Sequence, residues 1–233
     1  MFSPLTPSLP LPQGVVYRNL GDLSKSFTCL DSVHTTRLTK NGPNSRSTHL
    51  SYISLALLQE AYGRYEEATD LYLTAVRGMN AVNPSDPLLL DAVGNLAGAK
   101  IANGDWTVGV KMLKRVLEGK ERTLGRGSRS TLTTVDNLAC ALLRSEEEED
   151  LVKAGELFRR VEEGIGKVLR EGHPEVFETF ENISIMHARR GEWGLACKYK
   201  EVSAEQSDSK SITQPFYITN NLPLVALLIA EGC

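Results

Sequence analysis

The stretch Ser128–Leu143, SRSTLTTVDNLACALL, decides the fold because parts of it recur along the chain. Its first four letters also stand at 45–48, 83 residues earlier. Its Asn-Leu-Ala segment at 137–139 has counterparts that begin at Asn95, Asn182 and Asn221. Self-similarity with a period near forty residues indicates a stacked repeat array. Since one repeat cannot bury its own apolar face, we expect the repeats to pack against one another.

Apolar residues at helical spacing divide most of the chain into pairs of helices. Leu50, Ile53, Leu57 and Ala61 recur every three or four residues, and Gly63 follows them. This pattern predicts a helix that ends in a tight turn. The same plan predicts four helix pairs, over about 47–83, 87–121, 130–169 and 174–206.

The remaining segments lie outside these four pairs. Residues 1–20 are rich in proline and are predicted to form a disordered arm, and 21–46 a partial first repeat whose first helix is missing or degenerate. The serine-rich stretch 207–214 is predicted to be a linker. The final segment, 215–233, is predicted to be a terminal apolar helix from a truncated or incomplete repeat.

Three columns of residues explain how each pair turns and packs. Glycines stand at the predicted turns, because a residue without a Cβ atom reverses the chain most easily. A large aromatic follows two residues later, and a small residue three further on, where two helices cross closely. The columns are Gly63, Gly104 and Gly191; Tyr65, Trp106 and Trp193; Ala68, Gly109 and Ala196. In the third pair an acidic stretch at 146–150 replaces the turn and shifts Ala154 and Phe158 into these columns.

Composition excludes several classes of protein. The formal net charge of −3 supplies no basic field for nucleic acid and no polybasic segment for a membrane. The longest apolar run, 222–230, is too short to span a bilayer. The N-terminus lacks the pattern of a signal peptide. Cys140 and Cys197 fall within predicted helices, which indicates reduced thiols in a cytoplasmic compartment.

The sequence contains no recognisable catalytic motif. Gly119-Lys120 lacks the flanking residues of a phosphate-binding loop, and no G-x-S-x-G sequence is present. The four histidines lie in unlike settings, and no His/Cys spacing suits zinc. The run 146–150 is interpreted as a solvated turn that places negative charge at a helix N-terminus, with a patch for a basic partner as the alternative. We therefore expect a protein that is not an enzyme and has no catalytic residue, cofactor or metal.

Together these motifs resemble the tetratricopeptide repeat of the longer, kinesin-light-chain type. The resemblance is carried by Thr133 with Asn137-Leu138-Ala139, by Gly191-Glu192-Trp193 with Ala196, and by Gly172-His173-Pro174. It implies an all-α fold, a right-handed superhelical solenoid of antiparallel helix pairs with repeats of about 42 residues. It also implies that the first helix of each pair lines a concave groove that receives a peptide.

In the family that this chain resembles, an asparagine in the first helix often binds the backbone of the peptide. That implicates Asn95, Asn137 and Asn182, whereas Ser54 departs from the pattern. An asparagine amide can donate to and accept from a peptide group. Residues a turn or two away on the same face, including Thr133, Arg144 and Arg189, would then supply specificity. Alternatively, the asparagines bond to neighbouring helices.

Two functions follow from these patterns. The leading interpretation is a non-catalytic scaffold that binds a peptide segment of a protein partner in the groove. The alternative is an oligomerising or regulatory segment of a larger signalling assembly. Leu222, Leu227 and Ile229 belong to a terminal helix that is almost without a polar face, and such a surface implies a partner, a second copy of the chain included.

Overall fold

The structure of this chain is a computed structural model. It describes the backbone of residues 11–168 and 174–207 and the side chains of residues 13–164 and 179–204. The described residues form helices without strands. The helices are α1 (Leu11–Asn19), α2 (Leu23–Asn41), α3 (Arg46–Ala61), α4 (Tyr65–Val82), α5 (Leu89–Ala102), α6 (Trp106–Leu124), α7 (Arg129–Leu143), α8 (Glu148–Val168), α9 (Pro174–Arg189) and α10 (Trp193–Ser207).

The chain divides into two compact units, and each is described by itself. The described part of the first unit ends at Asp105 and holds α1 to α5; that of the second begins at Trp106 and holds α6 to α10. In the first unit α1 packs on α2, α3 on both α2 and α4, and α5 on α4. In the second unit α7 packs on α6 and α8, and α9 on α8 and α10.

The tight turns confirm the glycine column of the sequence. Gly63, Gly104 and Gly191 adopt positive φ angles of 73°, 98° and 72°. Side chains other than glycine rarely adopt this backbone region without strain. Each glycine therefore lets a helix stop and the chain reverse into the next helix.

The two SRST segments form the same cap at the start of α3 and of α7. Ser45 accepts from the backbone N–H of Thr48 at 3.2 Å, and Thr48 Oγ1 donates to the carbonyl of Gly42 at 2.8 Å. In the second copy Ser128, Thr131 and Gly125 make the same bonds at 3.2 and 2.8 Å. The serine satisfies a free helix N–H, and the buried threonine fastens the helix to its preceding loop.

An ion pair links the start of α3 to the loop before α5. Arg46 Nε and Nη2 donate to Asp86 at 2.5 and 3.1 Å, and Asp86 also accepts from the backbone N–H of Leu88 at 2.9 Å. The guanidinium of Arg46 holds the pKa of Asp86 below its usual range. The carboxylate thus joins two successive first helices of the first unit.

The cores are made where first and second helices meet. In the first unit Leu30, Leu55 and Leu58 are buried together. In the second unit Val135 of α7 packs on Val161 of α8. The small column is buried as predicted, since Ala68 and Ala196 have no exposed surface, and Ala154 and Phe158 of the shifted pair are also buried.

The buried face of α3 is not the apolar stripe that predicted the helix. Leu50, Ile53, Leu57 and Ala61 are only half-buried. The residues buried in α3 are Thr48, His49, Ser51, Leu55, Ala56 and Leu58. The helix is confirmed, but its core face includes polar side chains that helical periodicity of apolar residues does not reveal.

The predicted disordered arm over 1–20 is wrong for residues 11–19, which form α1. Pro12 lies in the first helical turn, where the missing N–H costs no hydrogen bond. Gly14 lets α1 approach α2 closely, and its carbonyl accepts from the buried Ser26 hydroxyl at 2.8 Å. The partial repeat at 21–46 therefore has a first helix. Residues 1–10 and the predicted linker and terminal helix at 207–233, except Ser207, lie outside the described residues.

The cysteines differ from the sequence-based expectation at one position. Cys29 and Cys140 are half-buried thiols. Cys197 of α10, expected to be a reduced core thiol, is disulfide-bonded. Helix periodicity places a cysteine on a face but does not show whether a second cysteine comes within bonding distance, so this expectation is corrected.

Candidate interaction surface on the first helices

One stripe of α7 stays outside the core. Thr133 and Arg144 are exposed, and Asp136, Asn137 and Cys140 are half-buried. These positions recur at three- to four-residue intervals, which places them along one side of the helix. The buried residues of α7 occupy the rest of its circumference. We call this side of α7, with Asn182 and Glu181 at the matching positions of α9, the first-helix stripe.

The amides of Asn137 and Asn182 lie at equivalent positions on α7 and α9. Both side chains are half-buried. Neither makes a hydrogen bond to another residue in the described part of the chain. The expected alternative, in which these asparagines bond to neighbouring helices, is therefore not realised among the residues that the structure describes.

A direct contact brings α7 and α9 together beside these asparagines. Thr179 Oγ1 of α9 lies 3.4 Å from Asp136 Oδ1 of α7. Thr179 is buried, whereas Asp136 stays half-exposed next to Asn137. The carboxylates of Asp136 and Glu181 add negative charge, although Lys200 pairs with Glu181 at 3.0 Å. Successive first helices of the second unit thus present their polar stripes side by side.

The other predicted residues of this stripe differ in what they bond. Thr133 donates from Oγ1 to the carbonyl of Arg129 at 3.0 Å, which leaves its oxygen able to accept. The exposed side chain of Arg144 makes no hydrogen bond or ion pair among the described residues. Arg189 is half-buried, and its guanidinium donates to the carbonyls of Leu143 and Ser145, the latter at 2.9 Å.

Arg189 therefore has a structural contact that the sequence did not predict. Carbonyls at the end of a helix lack partners within the helix. Arg189 supplies donors to the end of α7, and the Trp106 indole N–H donates to the nearby carbonyl of Ala141 at 2.8 Å. The two side chains fasten the end of α7 to α6 and to α9.

Asn95 lies on α5 in the first unit and is also half-buried. Its side chain makes no hydrogen bond to the described residues. Ser54, at the matching position of α3, donates to the carbonyl of Leu50 in its own helix at 3.1 Å. The corresponding face of α3 is apolar, with Leu50, Ile53 and Leu57 half-buried. The first unit therefore offers an apolar stripe on α3 and a polar one on α5.

Sequence reasoning missed a set of polar residues packed within the first unit, of which His49 is buried and Glu60 and His34 are half-buried. The Tyr72 hydroxyl, on a side chain with no exposed surface, donates to Glu60 Oε2 at 2.9 Å. Burial raises the pKa of Glu60 to about 7. Burial also lowers the pKa of His34 and of His49. The signal was available, because the two SRST copies align Glu60 with the buried Leu143 and His49 with the buried Leu132.

The described residues contain no cluster of three or more side chains able to hold a metal ion. Among the same residues, no helix has the length and apolar character needed to cross a membrane. The chemistry that remains on the first-helix stripe is hydrogen bonding by amides, a hydroxyl and charged groups.

Comparison with solved structures supports this architecture. The chain is similar to a putative kinesin light chain with nearly identical TPR-like repeats from Podosopora anserina, at 22% identity and a TM-score of 0.63, over 87% of this chain and 95% of that one. It is also similar to BtubC (BKLC) from P. vanneervenii, at 17% identity and a TM-score of 0.64, over 89% and 82% of the two chains. A third similar structure is the assembly chaperone of RpL4, Acl4, at 14% identity, a TM-score of 0.52 and coverages of 98% and 85%.

No protein-family model matches the sequence, and no curated protein matches it. At these identities the structural likeness establishes the fold alone. The class is therefore an all-α solenoid of helix pairs. More particularly, the fold is that of tetratricopeptide-like repeats of the kinesin-light-chain type, as the motifs predicted.

Proposed function

We propose that this chain is a non-catalytic protein–protein interaction scaffold that binds a peptide segment of a partner along the first-helix stripe. The repeat fold supports the broad class, since tetratricopeptide-like folds generally mediate protein interactions. The finer proposal names Asn137 and Asn182 as the groups that bond the peptide backbone. Asn95 serves the same purpose in the first unit.

The proposal rests on one observation, which is that the side-chain amides of Asn137 on α7 and Asn182 on α9 are unbonded among the described residues. Asn137 and Asn182 occupy matching positions on adjacent helices, and neither amide is bonded to the described part of the protein. An asparagine amide offers two donors and an acceptor, which suits a peptide group. A half-buried polar group with no internal partner is also a group that a ligand can satisfy at little cost.

Side chains near the asparagines would set the preference for particular peptides. Arg144 is exposed and uncommitted among the described residues, so it is available to a carboxylate of the ligand. Thr133 can accept a hydrogen bond one turn before Asn137. Arg189 contributes by holding α7 and α9 in register, through the carbonyls that it binds. Neither nucleic acid nor a membrane is part of this proposal.

The second candidate is an oligomerising or regulatory repeat segment of a larger signalling assembly that contacts itself or another domain through its C-terminal end. The apolar sequence from Leu222 to Ile229 favours it. Light scattering after gel filtration tests this candidate. A dimer that becomes a monomer in a Leu227→Glu, Ile229→Glu variant would support it, and a wild-type monomer would count against self-association.

A cytoplasmic location is part of the leading proposal. The disulfide at Cys197 argues against it, because disulfides seldom persist in a reducing compartment. Fractionation of cells that express the chain, with thiol labelling before lysis, decides the question. Full labelling of the cysteines in a cytosolic fraction would support the proposal.

The experiment for the leading proposal is co-purification from native lysate with identification by mass spectrometry. Wild type is compared with an Asn95, Asn137, Asn182→Ala variant that circular dichroism shows to be folded. Asn103→Ala is the matched control, because Asn103 is an exposed asparagine after α5, away from the stripe. Partners lost only from the triple variant would support the proposal, provided that a synthetic peptide of such a partner binds wild type directly. Partners retained by all three proteins would overturn it.

A further inference from the structure

The second helices of the second unit form two surface pockets that are distinct from the first-helix stripe. The α8/α10 pocket, of about 180 Å³, lies between those two helices with α9 as its floor, and includes Gly155, Arg159 and Met186. The α6/α8 pocket, of about 270 Å³, is lined by α6 together with the end of α7 and the start of α8, and includes Lys111 and Lys114.

The two pockets are copies of one feature of the repeat. Val110, Lys114 and Leu142 line the α6/α8 pocket, and the residues 45 positions later line the α8/α10 pocket. Those residues are Gly155, Arg159 and His187. The repeat thus places a basic side chain at the same point of both pockets. Because packed helices lie about 8–10 Å apart, the two pockets are one short step apart along the array.

The α8/α10 pocket is open and apolar at its base because of Gly155. The three atoms nearest to a Cβ at that position belong to Met186 and Arg190 and would lie 3.7–3.8 Å away, which is ordinary contact. Phe158, Ile183 and Met186 form the floor. In the earlier repeat Val110 occupies the place of Gly155. The glycine therefore leaves room for an apolar side chain that Val110 would partly fill.

Uncommitted basic side chains lie at both pockets, and at the α6/α8 pocket Lys111 and Lys114 outnumber the carboxylate of Asp150. Lys111, Lys114 and Arg159 are exposed, and none has an ion pair or hydrogen bond among the described residues. The acidic side chains beside the α8/α10 pocket are engaged, because Glu162 accepts from the Tyr199 hydroxyl at 2.9 Å. Glu192 lies 2.6 Å from His187 Nδ1 and 3.2 Å from Arg190 Nη2. Burial raises the pKa of Tyr199 to about 12, so the hydroxyl stays a donor to Glu162 at neutral pH.

We infer that the α6/α8 and α8/α10 pockets together form a second docking surface, which takes an acidic peptide segment of a partner with an aliphatic side chain in each pocket. Carboxylates of the segment pair with Lys114 and Arg159. Asp150 lines the α6/α8 pocket and repels any further carboxylate of the segment there. On α9 the pocket residues Ile183 and His187 lie about 100° and about 140° around the helix from Asn182, whereas Met186, one turn after Asn182, is buried at the pocket floor. The surface can therefore be occupied independently of the first-helix stripe.

The test starts from a phage-displayed library of random twelve-residue peptides, selected on the full chain at low salt. Enriched sequences are synthesised with a fluorescein label, and their binding is measured by fluorescence anisotropy. We expect peptides that alternate aliphatic residues with Asp or Glu. Their affinity should fall at least tenfold in a Lys114→Glu, Arg159→Glu variant, and should also fall between low and physiological salt.

Three further variants locate the site. Arg115→Glu reverses one charge, as each substitution of the double variant does, at an exposed residue of α6 that lines neither pocket, and should leave affinity unchanged. Gly155→Val fills the α8/α10 pocket and should weaken binding. Asn137→Ala, Asn182→Ala should have no effect. Enrichment without acidic peptides, or acidic peptides that bind the Lys114→Glu, Arg159→Glu variant as well as they bind wild type, would overturn the inference. A loss confined to the asparagine variant would overturn it as well, while supporting the first-helix stripe.

Discussion

The imidazole of His49 lies against the backbone of Gly78, so that a Cβ atom on Gly78 would stand 2.1 Å from His49 Cε1. His49 is only 3% exposed, and neither ring nitrogen has a hydrogen-bond partner among the described residues. In the other SRST repeat, Leu132 packs in the same way against Gly164. A polar ring therefore occupies a position at which the repeat otherwise places leucine.

We expect His49→Leu to stabilise the protein. An unsatisfied buried polar group costs about 1–3 kcal/mol, and leucine removes that cost while filling similar space. Burial is the largest cause of the lowered pKa of His49, so the protein loses stability as pH falls below the ordinary histidine pKa of 6.5. The gain should therefore be larger at pH 5.5 than at pH 8.

Urea unfolding followed by circular dichroism measures this gain. Leu132→His is the reciprocal change and should lower the free energy of unfolding. A His49→Leu protein that is less stable than wild type at both pH values would show that His49 has a partner or a packing role that leucine cannot replace.

Gly78→Ala should destabilise the first unit, because the new methyl group would overlap the His49 ring. Gly98 is the matched control: it also lies inside a helix, but no atom lies within 4 Å of an added Cβ. Gly98→Ala should raise stability by up to about 1 kcal/mol through helix propensity. Thermal unfolding separates the two, and equal effects would contradict the packing described for His49. A His49→Ala, Gly78→Ala double variant should recover much of the loss.

Glu60 predicts a second pH dependence, of opposite sign to that of His49. Burial raises its pKa to about 7 from an ordinary value of 4.5, so between these values the folded state holds a proton that the unfolded state has released. The contribution of Glu60 to the free energy of unfolding is therefore largest below pH 4.5. It falls by at most about 3 kcal/mol as pH rises toward 7. Glu60→Gln should remove this component. The measurement is the difference in urea unfolding between variant and wild type across pH 4.5 to 8. A difference that does not change with pH would rule out this titration.

The helices could be predicted from the sequence because their signals are local. The glycines at the turns and the small column were predicted from their spacing, and the structure confirms them. The caps made by the SRST segments were not predicted and are seen only in the structure. Helix α1 was missed because proline-rich composition suggested disorder, whereas Pro12 only marks the first turn. The burial of His49 and the half-burial of Glu60 could be inferred only by aligning the repeats, since each replaces a leucine of another copy.

Part of the candidate site could likewise be predicted from the sequence, and part could not. Asn137 and Asn182 were found because they recur at a fixed position, and their unbonded amides agree with a surface role that is still to be tested. The bonds of Arg189 to α7 could not be predicted, because they join residues more than forty positions apart. The α6/α8 and α8/α10 pockets could not be predicted, because a pocket depends on how far apart two helices lie and helical periodicity does not report that distance.

Arg189 and Arg144 should therefore behave differently, although both were placed in the groove. Arg189→Ala removes donors from the end of α7 and should lower the free energy of unfolding by about 1.5–3 kcal/mol, because these bonds involve a charged group. Arg144 is exposed and unbonded among the described residues, so Arg144→Ala should change stability by less than about 0.5 kcal/mol. Urea unfolding gives both values. If the two variants were equally stable, the contacts of Arg189 would contribute nothing to the fold, and its guanidinium would be as available to a peptide as that of Arg144.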